Sequence, residues 1–258
     1  MLAKFKNLGC NYLGLSVSVI LFADDIVLVS PSITQLQIMI DLCCAELSLL
    51  DLQINSKKSS AIRIGCRYKN KCVDLHAANE IIHWSHEAKY LGICILSGLK
   101  FKCSFEKAKG KYYRAANAIL ARIGNNNNKP VTLKLISSIA LPILMYSLEA
   151  LPLNKSELIS LNHPWIRSFE KLFNTFDKNV VKQCQFYCGH LNVNDYYVMN
   201  SMNFLSKLSS SPNLIVRTIH LLTGREDLYR LSNLYKSDSD IFLKHYKEII
   251  QERFKEET

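Results

Sequence analysis

No aspartate or glutamate stands between Met1 and Ala23, so that stretch cannot lend a carboxylate to an acid–base or metal site. No apolar run approaches the roughly 20 residues that cross a bilayer, and Met1 to Cys10 is too polar for the core of a signal peptide, so no membrane span is predicted. No internal repeat is evident. A four-ligand zinc spacing is also missing. Cys184 and Cys188, with His190 nearby, offer three donors, and buried thiols are the expectation there, with a zinc site as the alternative. The nine cysteines, an odd number with no secretory signal, imply a reducing compartment, nuclear or cytoplasmic.

What is present suffices for a folded protein. The 258 residues are 48% hydrophobic, enough for one large or two modest domains. Lysine and arginine outnumber aspartate and glutamate by 32 to 22, a formal charge of +10, which favours a polyanionic partner, nucleic acid first.

The richest short stretch is Phe22-Ala23-Asp24-Asp25, set between the strand-like runs Leu15 to Leu21 and Ile26 to Val29. Aspartate is depleted from strands, so the economical geometry is a hairpin whose tight turn carries the acids. Two carboxylates so close repel, and a divalent cation would neutralise them, the device by which phosphoryl-transfer enzymes hold Mg²⁺. An ordinary hairpin whose aspartates serve only the turn is the alternative.

Downstream, Ser32 and Gln35 fit a capping box, and Leu36, Met39, Ile40, Cys43, Leu47 and Leu50 recur at helical spacing, predicting a helix that packs under a sheet. Lys57 and Lys58 follow in a turn. Strands at Ala61 to Gly65 and Leu91 to Ile95 are predicted to rejoin the hairpin in one antiparallel sheet with helices on one face. Ser104 to Ile123 reads as an amphipathic helix. Phe105, Ala108, Tyr112, Ala115, Ala116, Ile119 and Ile123 line one stripe; Lys107, Lys111, Arg114 and Arg122 line another, either a track for phosphates or a solvated face. Asn125 to Asn128 is a low-complexity loop, and Lys129-Pro130 a boundary. Thr132 to Leu151 is apolar almost all round, predicting a buried helix kinked at Pro142. Tyr146 and Glu149 read as packing and hydrogen-bonding residues, and Trp84 and Trp165 as core. Beyond Asn154 the pattern is helical, interrupted at Pro164, Gly189 and Pro212, with an aromatic-rich helix near Trp165 to Phe176 and a charged one from Asp240 to Glu257. Arg217, Arg225 and Arg230 could touch nucleic acid, although Glu226 and Asp227 beside them suggest surface ion pairs.

In order along the chain, Phe22-Ala23-Asp24-Asp25, Leu52-Gln53-Ile54-Asn55-Ser56-Lys57-Lys58-Ser59, Lys89-Tyr90-Leu91-Gly92-Ile93 and Ala140-Leu141-Pro142-Ile143-Leu144-Met145-Tyr146-Ser147-Leu148-Glu149-Ala150 resemble segments of the reverse transcriptases of non-LTR, LINE-type retrotransposons. The resemblance implies an α+β fold: an antiparallel half-palm sheet with helices on one face over 1–103, thumb helices over 104–153 and a helical C-terminal extension over 154–258. It implies RNA-directed DNA polymerisation, Mg²⁺ or Mn²⁺ as cofactor, and a partner made of RNA template and DNA primer. Asp24 and Asp25 would be metal ligands and catalytic, Lys58 would contact or protonate the departing pyrophosphate, and Phe22, Ala23, Tyr90, Leu91 and Gly92 would line the substrate. Lys107, Lys111, Arg114 and Arg122 would grip the duplex. The family's earlier palm aspartate and its Gly-Gln-Gly-type segment have no counterpart here, so the expectation is a polymerase fragment, inactive alone and weak or lacking in metal binding. The alternatives are a catalytically silent nucleic-acid-binding remnant or an interaction protein.

Overall fold

The structure, a computed structural model, describes residues 5, 8–12, 15–123, 128–235 and 239–256, and the chain divides into two units, Met1–Ser104 and Phe105–Thr258. Asn125 to Asn127 of the expected loop lie outside the described residues.

The first unit is strand-rich. Strands β1 (Cys10–Tyr12) and β2 (Leu15–Val17) pair antiparallel, as do β3 (Val19–Phe22) and β4 (Asp25–Leu28). Helix α1 (Ile33–Ser48) follows, then the pair β5 (Leu75–Ala77) and β6 (Glu80–Ile82), then a three-stranded sheet of β7 (Glu87–Tyr90), β8 (Ile93–Leu96) and β9 (Lys102–Ser104). Among the described residues, the single sheet expected from the sequence is therefore replaced by four small ones. Ala61 to Gly65 forms only two isolated parallel bridges, Ala61 to Trp84 and Ile64 to Gly98, and Leu91-Gly92 is the tip of the β7–β8 hairpin rather than a strand start. Both tip residues have positive φ, 45° and 85°, which type I′ turns require and a run through a strand cannot accommodate.

Helix α1 does pack where its periodicity places it. Met39 and Cys43 are buried with Phe5 beneath Val19, Ile26 and Leu28, and Ile40 joins Leu75, Ala77 and Ile82 in an adjoining cluster. Gln37 ties the helix to the edge of β5 twice: its Nε2 donates to the His76 carbonyl at 2.8 Å and its Oε1 accepts from the His76 N–H at 2.9 Å. The capping box fails. Ser32 is the N-cap but its side chain makes no cap bond, and its N–H, which the Gln35 side chain would take in the box, goes to the Ser30 hydroxyl, which also donates to the Ser32 carbonyl.

Cys43 gives this core a pH dependence. Burial, then the neighbouring Cys44 and Glu46, push its thiol from the ordinary 9.0 up to about 11. The unfolded thiol ionises first, so the stability it contributes is fully present below pH 9 and is lost as pH rises toward 11. Urea midpoints of the first unit should be flat up to neutrality and fall through that window, and Cys43→Ala should remove the fall.

The second unit is helical: α2 (Glu106–Ile123), α3 (Lys129–Leu135), a π turn (Ile136–Ala140), α4 (Leu141–Met145), α5 (Lys155–Phe173), α6 (Lys178–Tyr187), α7 (Val193–Ser209), α8 (Leu214–Tyr235) and α9 (Ser239–Glu256). The π turn accounts for the expected break at Pro142. Proline lacks an N–H and its ring presses on the carbonyl four residues back, that of Ser138, and widening the preceding turn removes the clash. The helix ends at Met145 rather than Leu151, with Ser147 left-handed at φ 59° before a 3₁₀ turn. It is also not apolar-buried all round: Val131, Ile139 and Tyr146 are exposed while Leu133, Ile136, Leu144 and Leu148 are buried. Tyr146 is thus not the packing residue expected. By length and composition the tract Lys129–Ala150 could cross a bilayer, contrary to the sequence expectation, and its buried side packs against α2.

Around that tract, Trp165 is fully buried on α5 and donates from Nε1 to the Leu191 carbonyl at 3.0 Å. Tyr112 of α2 shares a 2.6 Å hydrogen bond with Ser168, and the Tyr197 hydroxyl donates to the Leu151 carbonyl. Pro164 does not interrupt α5. One face carrying Leu158, Leu161, Trp165, Phe169 and Leu172 is buried, outweighing the roughly 3 kcal/mol that an interior proline costs. Asn154 and Glu157 form a capping box at the start of that helix.

Candidate functional site

The acidic hairpin forms in the register that its apolar flanks predict: Val19 opposite Leu28, Ile20 opposite Val27, Leu21 opposite Ile26 and Phe22 opposite Asp25. Ala23 and Asp24 make the two-residue tip. Ala23 is left-handed at φ 51° whereas Asp24 is not, the φ pattern of a type II′ turn, and a non-glycine there costs about 1 kcal/mol. The Val29 N–H donates to the Ser18 carbonyl at 2.8 Å and extends the ladder at the base. Opposed residues share a face, so Asp25 lies with Phe22 and Ile20 on the side away from α1, where Phe22 and Ile20 are exposed. Asp24 projects from the tip. Both carboxylates are exposed, and neither has a hydrogen bond or ion pair among the described residues.

Hard oxygen donors at a rigid tip suit Mg²⁺ or Mn²⁺ in kind. They fall short in number. Among the described residues no three His, Cys, Asp or Glu side chains gather to hold an ion. Two neighbouring carboxylates do not build the paired site in which ions about 3.5 to 4 Å apart clamp the attacking and leaving oxygens.

The other expected site residues are dispersed over the first unit. Lys58 sits in the turn after α1, its N–H donating to the carbonyl and the side-chain oxygen of Asn55, its side chain exposed. Tyr90, Leu91 and Gly92 close the β7–β8 hairpin, a sheet that does not pair with β3–β4. In the second unit, Lys107, Lys111, Arg114 and Arg122 are exposed along one stripe of α2, opposite the buried Tyr112 and Ala116. Lys109, on a different stripe, is paired with Glu106 at 2.5 Å. Arg230 is held by Asp227 at 3.3 Å, the surface pairing foreseen, while Arg217 and Arg225 are exposed.

The cysteine pair differs from the expectation. Cys188 is exposed and Cys184 half-buried, because α6 ends there and Gly189 turns the chain away at φ 70°. Burial raises both thiols, which disfavours thiolate, and it lowers His190, with Lys134 adding to the effect. His190 instead packs edge-on against Trp165 and shares its Nδ1 with the Tyr196 hydroxyl at 3.3 Å. Trp84 is only half-buried, its Nε1 donating to the Val73 carbonyl and its ring covered by Arg63. Arg67, Lys69, Lys71, Lys100 and Lys102, which the sequence pattern did not single out, are all exposed, and no acid lies within 63–72 or 98–102.

Residues 2–95 match the family model described as reverse transcriptase (RNA-dependent DNA polymerase). The match contains the Phe22–Asp25 hairpin, Lys58 and Tyr90–Gly92, and it supports that polymerase class, at the level of the family, for the segment it covers. Among curated proteins and solved structures, none matches the chain.

Proposed function

We propose that this chain is the hairpin-bearing portion of an RNA-directed DNA polymerase of the non-LTR, LINE type, catalytically silent on its own, with the first unit as half-palm and α2 as the duplex-gripping part of a thumb. The observation that carries the reading is the two-residue tip: Asp24 at its apex, Asp25 paired with Phe22, both carboxylates open and unengaged. The family match over residues 2–95 and the order of the four segments along the chain support it. In this reading Lys58 serves the departing pyrophosphate, Phe22, Ala23 and Tyr90–Gly92 line the nucleotide and primer end, and Lys107, Lys111, Arg114 and Arg122 hold RNA–DNA duplex through its phosphates. Silence follows from the donor set, since two acids cannot organise both ions.

Two measurements test the proposal. The purified chain should show no metal-dependent primer extension on an RNA template, and sustained incorporation would end the claim of silence. Mn²⁺ should nonetheless broaden resonances at the tip, and Asp24→Asn should weaken that binding by about tenfold, roughly 1.4 kcal/mol. Equal Mn²⁺ binding by the two proteins would remove the hairpin's assigned role.

A further inference from the structure

We infer that the first unit carries a surface for single-stranded nucleic acid, built from the loop Arg63–Cys72 and the turn Gly98–Lys102, which sets phosphates against lysines and a base against the exposed Phe101 ring. This surface is separate from the Asp24 hairpin and stands whether or not that tip holds metal.

The two segments are far apart in sequence and stitched together by the backbone. Gly65 N–H donates to the Gly98 carbonyl at 2.9 Å, Gly98 N–H donates to the Arg63 carbonyl at 3.1 Å, and the Ser97 hydroxyl donates to the same carbonyl at 2.8 Å. Arg63 anchors the loop: its guanidinium lies 5.2 Å over the Trp84 ring and donates to the Arg67 carbonyl and to Cys72 Sγ. It is therefore committed to structure. Arg67, Lys71, Lys100 and Lys102 are not, and Lys69 makes only a cation–π contact with Tyr68. All are exposed, no acid lies within either segment, and none forms an ion pair among the described residues. Like charges gathered on a fixed loop repel one another, and a ligand with regularly spaced negative charge relieves that cost.

The apolar groups beside the cations narrow the choice of polyanion. Phe101 is 46% exposed between Lys100 and Lys102, Leu99 is 62% exposed, and Lys69 lies 5.6 Å over the Tyr68 ring. A duplex offers phosphates but keeps its bases stacked inside, leaving Phe101 uncovered. A single strand offers both, because any unpaired base has a flat face to lay on an aromatic ring. An anionic membrane would also meet the lysines, yet affinity for a bilayer scales with inserted apolar area, and the exposed Ile64, Leu99 and Phe101 supply little.

The test is fluorescence anisotropy of a labelled 20-nucleotide oligouridylate with the full chain, titrated across potassium chloride concentration. Lys69→Gln/Lys71→Gln/Lys100→Gln should weaken binding at least tenfold at low salt and reduce the slope of log affinity against log salt by about 2, near 0.7 for each phosphate that is no longer neutralised. Phe101→Ala should weaken binding by about tenfold and leave that slope unchanged, since stacking releases no counterions. All four positions are exposed, so both variants should keep the parent's circular dichroism and melting curve. Unchanged affinity in both variants overturns the proposal, as does binding of the parent chain to phosphatidylserine vesicles without binding to the oligonucleotide.

Discussion

Replacing Gly9 by alanine should destabilise the first unit by about 3 kcal/mol, the sum of a left-handed residue and a backbone clash. Gly9 has φ +85°, and a Cβ there would lie 2.4 Å from Ser18 Cβ, 2.7 Å from Ser18 Cα and 2.8 Å from the Val29 carbonyl oxygen. Ser18 and Val29 are the residues whose hydrogen bond closes the base of the acidic hairpin. The intruding methyl group therefore pries at the root of the element that presents Asp24. Gly65→Ala is the control, because Gly65 shares the positive φ, at +125°, but has nothing within 4 Å of an added Cβ. It should cost only the backbone term, about 1 to 2 kcal/mol. Urea unfolding followed by limited proteolysis of the first unit reads both, and equal losses for the two variants would show that the close approach at Gly9 is relieved at no cost.

Trp165→Ala should cost the second unit about 4 kcal/mol. The indole is fully buried, meets Phe169 edge-on at 5.0 Å and His190 at 5.5 Å, and its N–H satisfies the Leu191 carbonyl. Truncation leaves a cavity and an orphaned acceptor together. Trp165→Phe separates the two terms: it retains most of the apolar contact while losing the donor, and should cost about 1 to 3 kcal/mol. Thermal unfolding measures the pair. A loss below about 1 kcal/mol for the alanine variant would mean that the Leu191 segment and α5 collapse onto the space.

The sequence was most legible where local chemistry and periodicity agreed. Alternating apolar runs around adjacent acids leave a two-residue turn little choice, and Val19 to Leu28 forms the hairpin they imply. The stripe of Tyr112 and Ala116 against Lys111 and Arg114 likewise determines which side of α2 is buried. Legibility failed where a non-local partner decided the outcome. A competing local partner had the same effect at Ser32, whose N–H, the one Gln35 would take in a capping box, goes to the Ser30 hydroxyl. Ala61 to Gly65 reads as a strand, but Ala61 and Ile64 there meet only single-residue bridges, so the sheet breaks into small pairs instead of continuing. At Pro164 the rule that proline ends a helix was overridden by the burial of one face, a quantity visible only once α2 and α7 are in place against α5. For the candidate site, the tip was readable and the loop Arg63–Cys72 was not, since its partner turn lies some thirty residues downstream.

The widened turn at Ile136–Ala140 has a consequence for length variation in this tract. A π turn accommodates one residue more than an α turn, so deleting a single residue there lets the backbone return to ordinary winding while the flanking segments keep their facing. Such a shortening carries the roughly 3 kcal/mol cost of an interior proline unless position 142 changes at the same time, because a proline left in a regular helix would again collide with the carbonyl one turn earlier. Loss of that residue should therefore be better tolerated together with loss of Pro142 than alone.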